Sequence, residues 1–195
     1  MKTTSIAGWI GMGFLGILLA QGPSLAAEHK TGASSKTMIE RGRYLVTLGG
    51  CNDCHSPKKM TPNGPVPDGA LLLSGHPADN KIPAIPQNII GPDNWGGIFS
   101  NDLTAWAGPW GTSYASNLSP DPETGTGAWN SELFIRILRT GKFMASGRDI
   151  LPPMPWYAYA KLSDADLKAI FAYIKSIKPV RNKVPDSVPA PTLQR

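Results

Sequence analysis

Cys51-Asn52-Asp53-Cys54-His55 is the stretch on which the reading of this chain turns. Two cysteines three apart, with a histidine directly after them, match a c-type haem attachment site. One turn of chain puts both thiols on the same edge of a planar macrocycle, where each can add to a vinyl group and form a thioether. The histidine that follows is then held under the iron and can ligate it from the proximal side. Other uses of the pair fit less well. Structural zinc needs four ligands, but the chain has only these two cysteines. Its other histidines are His29, in a polar N-terminal stretch, and His76, in a Pro/Gly-rich loop. A thioredoxin-like pair would sit near a βαβ pattern, and none is visible. A simple disulfide leaves His55 without a role.

Upstream of the motif, Lys2 and the apolar run Ile6 to Ala20 are followed by Ser24-Leu25-Ala26. A positive n-region, an apolar run too short for a transmembrane span, and small residues at −3 and −1 make residues 1–26 a secretory signal peptide. Export suits the motif, because c-type haem is joined outside the cytoplasm. The expected location is therefore periplasmic or otherwise exported; an uncleaved segment would instead anchor the chain to the membrane, facing the periplasm. Residues 27–36 are polar and contain Gly32 and Ser34-Ser35, which reads as a flexible linker.

A first helix is expected from Thr37, with Thr37 and Glu40 at capping-box spacing. Ile39, Gly42, Leu45 and Val46 give it one apolar face, and Gly49-Gly50 ends it just before Cys51. Trp129 to Thr140 is a second helix: Leu133, Phe134, Ile137 and Leu138 form its stripe, and Gly141 is its natural terminator. A third starts at Ser163 as N-cap, with Asp166 at N3. Its buried face is Leu167, Ile170, Phe171, Ile174 and Ile177, and Pro179 stops it.

Residues 57–128 hold 11 prolines and 10 glycines, which argues for turns rather than long elements. Trp95, Trp106 and Trp110 argue against disorder. This segment reads as an ordered, loop-rich wrap in which short strands have room. Residues 181–195, with Pro185, Pro189 and Pro191, read as an extended surface tail.

Leu151-Pro152-Pro153-Met154-Pro155-Trp156 supplies a second candidate ligand. A thioether is a soft donor suited to haem iron, and prolines on both sides restrict the backbone that presents it. Met144, Met60 and His76 are the competitors, Met144 foremost. A core gap-filler is the plain alternative for any methionine.

These features together resemble a class I cytochrome c domain over residues 37–180. More narrowly, Asn117-Leu118-Ser119 through Trp129, then Leu138-Arg139-Thr140-Gly141, then Leu151 to Trp156, resemble bacterial cytochromes that serve as electron-transfer subunits or domains of periplasmic dehydrogenases. Relatives of that kind often carry two or three haems; a single CxxCH implies one haem c here. The resemblance implies an all-α, cytochrome c-like fold around that haem, with residues 57–117 as a loop-rich insertion. It also implies N- and C-terminal helices crossing near the haem edge, with Gly42, Tyr44, Phe171 and Tyr173 packed there. It makes Cys51 and Cys54 the covalent anchors, and His55 and Met154 the axial iron ligands.

The implied function is single-electron transfer, with no catalytic residues and with redox proteins, a dehydrogenase or a terminal oxidase, as partners. The different-class alternative is a haem enzyme or gas sensor with an open sixth iron site; a third is a subunit whose haem mainly stabilises the fold. Lys58 and Lys59 could steer an acidic partner, and Trp156 or Arg148 could reach a haem propionate. A formal charge of +5 and an export signal give no nucleic-acid pattern: basic and aromatic residues are not interleaved. The oligomeric state is not fixed by any of these features.

Overall fold

The computed structural model describes residues 25–86 and 88–190; the signal-peptide reading of residues 1–26 falls almost wholly outside them. Five helices occur in this part: α1 (Leu25–Leu48), α2 (Cys51–His55), α3 (Ser131–Thr140), α4 (Trp156–Tyr159) and α5 (Asp164–Ser176). None of the described helices is long and apolar enough to cross a membrane.

The α1–α5 crossing is the most extensive contact between elements. It exists because Gly42 lets the two backbones meet. A Cβ at this position would lie 1.9 Å from the Ala169 carbonyl oxygen and 2.8 Å from Tyr173 Cβ. Leu45 and Val46, one turn further on, join Leu167, Ile170 and Ile174 in the core. On the other side of α5, Phe171 lies 5.2 Å from Phe134 of α3, centroid to centroid. Phe171 therefore packs α5 against α3, and Tyr44, expected at the crossing, is exposed with Arg41 over its ring.

Helix ends follow sequence chemistry. Asn130 caps α3 by accepting from Leu133 N–H at 2.9 Å, and Gly141 closes it at φ 66° with its N–H on Ile137 O. Ser163 caps α5 by accepting from Asp166 N–H at 3.1 Å. Asp166 also accepts from Arg41 Nε at 2.9 Å, which links α5 to α1. The Arg41 guanidinium, helped by the Ser163 bond and opposed by burial, holds the Asp166 carboxyl below its ordinary 3.8. A depressed folded pKa gives a contribution complete above the unfolded value and lost as pH falls through the folded one. Asp166→Asn is therefore expected to flatten the acid limb of a melting-temperature profile below about pH 4. An unchanged acid limb would show that the pair adds no stability.

Three sequence expectations need correction. First, α1 begins at Leu25, so residues expected to be a linker are helical and Thr37 lies inside the helix. Alanine, glutamate and lysine are strong helix formers, and in this segment they outweigh the ~1 kcal/mol cost of Gly32. Second, the chain is not all-α. Residues 57–117 form β1 (Lys58–Thr61) paired antiparallel with β2 (Gly64–Pro67), and β3 (Ile98–Phe99), β4 (Ala105–Gly108) and β5 (Gly111–Tyr114) of a second antiparallel sheet. Strands of two to four residues are too short to leave a period-2 pattern. Third, the tail expected to run extended over the surface is partly paired. Its β6 (Val188–Pro189) adds to the second sheet, with Val188 opposite Thr112 and Pro189 opposite Gly111.

Candidate haem site

Gly50, in the left-handed region at φ 64°, turns the chain from α1 directly into α2. That turn aims Cys51, Cys54 and His55 into a cavity of about 1370 Å³. This exceeds the ~300–1,000 Å³ of ordinary small-ligand pockets. Core side chains Phe134, Ile137, Leu138 and Ile170 form an apolar wall, and Met154 reaches the same cavity from the segment after α3.

Both cysteines are free and half-buried. Burial pushes the Cys51 thiol up to about 11, against a hydrogen bond with Tyr159. Burial also raises Cys54, and the nearby Asp53 charge adds to this. Both side chains are thus protonated thiols at neutral pH. His55 Nδ1 lies 2.8 Å from the Ser116 carbonyl oxygen. A carbonyl can only accept, so Nδ1 carries the proton and Nε2 keeps its lone pair. Burial pulls the His55 pKa down, against the Ser116 bond, which keeps the ring neutral and able to ligate.

Met154 is partly buried against the core. Its N–H donates to Leu151 O at 3.3 Å, and its carbonyl accepts from Trp156 N–H at 2.9 Å. The preceding Pro152 carbonyl accepts from Ser113 Oγ of β5 at 2.6 Å, which ties the segment to the sheet. The competing donors lie elsewhere. Met144 sits on an exposed turn at φ 51°, and Met60 is 77% exposed on β1. His76 is fully buried, with Nδ1 on Thr104 Oγ1 at 2.7 Å and Nε2 on Asn80 O at 3.0 Å. None of the three lines the cavity.

Lys58, a candidate docking charge, is engaged by α2. Its Nζ turns back onto α2 and donates to Asn52 O at 3.0 Å and Asp53 O at 2.9 Å, capping the helix C-terminus. Lys59 pairs with Asp68 across the β1–β2 hairpin at 2.9 Å. Of the two candidates for a propionate contact, Arg148 lines the cavity and Trp156 does not; Trp156 covers Gly141 instead.

Several lining groups left little trace in the sequence. Ser116 contributes a carbonyl, which any residue has. Tyr159 of α4 lines the cavity and donates its hydroxyl to Gly49 O, holding the turn before Cys51. The least expected wall is residues 181–187, a strap across the cavity. Asn182 fastens it: Oδ1 accepts from Ala78 N–H at 2.9 Å, and Nδ2 donates to Ser74 O at 2.7 Å and His76 O at 2.8 Å. From the other side, Asn117 Nδ2 donates to Val180 O at 2.8 Å. The Asn117-to-Trp129 stretch is thus a folded polar loop that anchors the strap, with Asp121 accepting from Thr124 N–H and Oγ1 at 2.7 Å each.

The donor set fits a covalently attached haem. Two thiols, one imidazole with a free Nε2 lone pair and one thioether face a single apolar-walled cavity, while Arg148, Arg181 and Lys183 at its lining suit carboxylates. Among the described residues, no group of three or more His, Cys, Asp or Glu could hold a bare metal ion.

No protein-family model matches the chain. It is 31% identical over 185 residues to a subunit of the nicotinate dehydrogenase of Pseudomonas putida, covering 93% of this chain and 12% of that protein. It is 30% identical over 182 residues to the cytochrome c subunit of the quinone alcohol dehydrogenase of Gluconobacter oxydans, covering 92% and 29%. It is 30% identical over 168 residues to the cytochrome subunit of fructose dehydrogenase of Gluconobacter japonicus, covering 84% and 27%. The chain therefore spans less than a third of the length of each of these relatives. Over most of its own length it is similar to cytochrome subunits of dehydrogenases, the resemblance expected from Asn117 to Trp129, Leu138 to Gly141 and Leu151 to Trp156.

Proposed function

We propose that this chain is a single-electron carrier with one covalently attached haem c, serving a dehydrogenase in the periplasm. The observation that carries this reading is that Cys51, Cys54, His55 and Met154 line one cavity. When bound there, haem supplies a reversible one-electron Fe(III)/Fe(II) couple. Cys51 and Cys54 fix it through thioethers. Ser116 holds the Nδ1 proton of His55, which would leave Nε2 free to hold the iron and makes the imidazole a better donor. Met154 would supply a second, thioether ligand to its iron. With His55 and Met154 both holding the iron, no position would remain for a substrate, which favours electron carriage over catalysis. Phe134, Ile137, Leu138 and Ile170 exclude water from one wall, and a dry wall penalises the extra positive charge of the oxidised state. A single CxxCH supports one haem. Lys2, the apolar run and Ser24-Leu25-Ala26 support export, and the names of the relatives support a dehydrogenase as electron donor.

The test is the optical spectrum of the holoprotein beside that of Met154→Ala. In the variant, the weak far-red absorption of a methionine–ferric iron bond is expected to vanish and the ferrous protein to bind carbon monoxide. The midpoint potential is expected to fall on the order of 0.1 V, within the ~0.8 V range that axial ligands set. Unchanged ligation in the variant, without carbon monoxide binding, would overturn the assignment of Met154.

A further inference from the structure

His76 is fully buried, yet the proposed function uses neither of its ring nitrogens. Its surroundings form a closed ring of hydrogen bonds. The His76 N–H donates to Ala115 O at 2.9 Å, the Ala115 N–H donates to Thr104 O at 2.8 Å, and His76 Nδ1 meets Thr104 Oγ1 at 2.7 Å. Asn80 O takes the other ring nitrogen at 3.0 Å, and the Tyr114 ring lies 4.8 Å away, centroid to centroid. Thr104 is itself fully buried and donates to Asp102 at 2.8 Å. Three chain segments, around residues 76, 104 and 115, are thus stitched together through one imidazole.

His55 is held by the residues next to this ring. The Gly75 N–H donates to His55 O at 2.7 Å, and Ser116 O takes His55 Nδ1 at 2.8 Å. Gly75 also presses on the chain that carries that carbonyl. A Cβ on Gly75 would lie 2.5 Å from Ala115 O and 2.6 Å from Ser116 C. The Ser116 carbonyl therefore has little freedom of its own while His76 fixes both flanking segments.

We propose that His76 is a positioning residue for His55, fixing the Ser116 carbonyl that orients the imidazole and sets its donor strength. This rests on the reading of His55 as the proximal iron ligand. A carbonyl bond at Nδ1 makes Nε2 a stronger donor, which favours the ferric state. Loosening the ring weakens that bond and shifts the balance toward ferrous iron.

The experiment compares holoproteins of wild type, His76→Leu, His76→Gln and Thr104→Val. The readouts are the hyperfine-shifted proton resonances of the His55 ring in the ferric state and the reduced-to-oxidised ratio at a fixed ambient potential. His76→Leu is expected to move the His55 resonances and raise that ratio at least twofold. Gln keeps an amide N–H donor for Asn80 O or Thr104 Oγ1, so it is expected to restore part of both. Thr104→Val keeps the backbone bonds and removes one ring contact. It is expected to change both readouts in the same direction, and it carries the test if His76→Leu does not fold. Ile174→Ala, in the α1–α5 core, is the control: it should lower the melting temperature and leave the His55 resonances in place. If Leu and Val variants lose stability but keep the His55 resonances and the ratio of wild type, His76 is structural only and the proposal fails. If the wild type lacks histidine-ligated low-spin iron, it is the reading of His55 that fails, which its own spectrum reveals before any variant is made.

Discussion

Gly42→Ala is expected to destabilise the protein by about 3 kcal/mol or more, at the top of the range for forcing volume into a packed contact. Helix propensity alone predicts the opposite, a gain of ~1 kcal/mol. The decision rests on distance. The new Cβ would sit 1.9 Å from a backbone oxygen of Ala169, and a backbone atom cannot rotate aside as a side-chain tip can. α1 must then move off α5, opening the core around Val46, Leu167 and Ile174. At ~2–4 °C per kcal/mol for a domain of this size, the melting temperature of the holoprotein should drop by roughly 6–12 °C. A midpoint equal to that of wild type would mean that the helices do not cross at Gly42.

Asn182→Ala is expected to release the strap over the cavity without unfolding the rest. The side chain makes three hydrogen bonds, to Ala78 N–H and to the carbonyls of Ser74 and His76. Each contributes about 1 kcal/mol net. The neighbouring Asn117 and the β5–β6 pairing remain, so a local loss of about 2 kcal/mol is a reasonable share. Trypsin reports on it directly, since Arg181 and Lys183 lie on either side of Asn182. Local opening should rise about thirtyfold, and cleavage after these residues should accelerate in proportion. Equal cleavage rates in variant and wild type would show that the strap is not held by this side chain.

Both predictions turn on contacts that differ in how plainly the sequence announced them. Gly42, Leu45 and Val46 stand at helical spacing, and Ser163 with Asp166 marks the start of α5, so the helical core was legible from periodicity and caps. The five-residue motif likewise placed Cys51, Cys54 and His55, because its spacing is itself the chemistry. Met154 was singled out by its thioether, its flanking prolines and the resemblance, and it lines the same cavity. What stayed hidden was held by backbone groups: the Ser116 carbonyl on His55, the Gly49 carbonyl under Tyr159, and the Ser74 and His76 carbonyls on Asn182. A carbonyl acceptor leaves no mark in residue identity. The strands escaped for a related reason. Two to four residues pair through the main chain, and their side chains need show no alternation.

Lys58 shows how a residue type can mislead. A lysine after the motif looks like surface charge, but its ammonium satisfies carbonyls at the end of α2. Burial depresses its pKa, against the pull of Asp53. A helix as short as α2 is not stable alone, and this cation finishes what its own backbone cannot.

The strap also bears on the order in which the protein is put together. Asn182 closes contacts to Ser74 and His76 across 108 and 106 positions of chain. A chain emerging from its N-terminus presents Cys51, Cys54 and His55 well before residues 181–187 exist to cover them. During that interval the cavity lacks one wall. Once the last segment pairs with β5, opening that wall again requires breaking the anchors at Asn117 and Asn182 together.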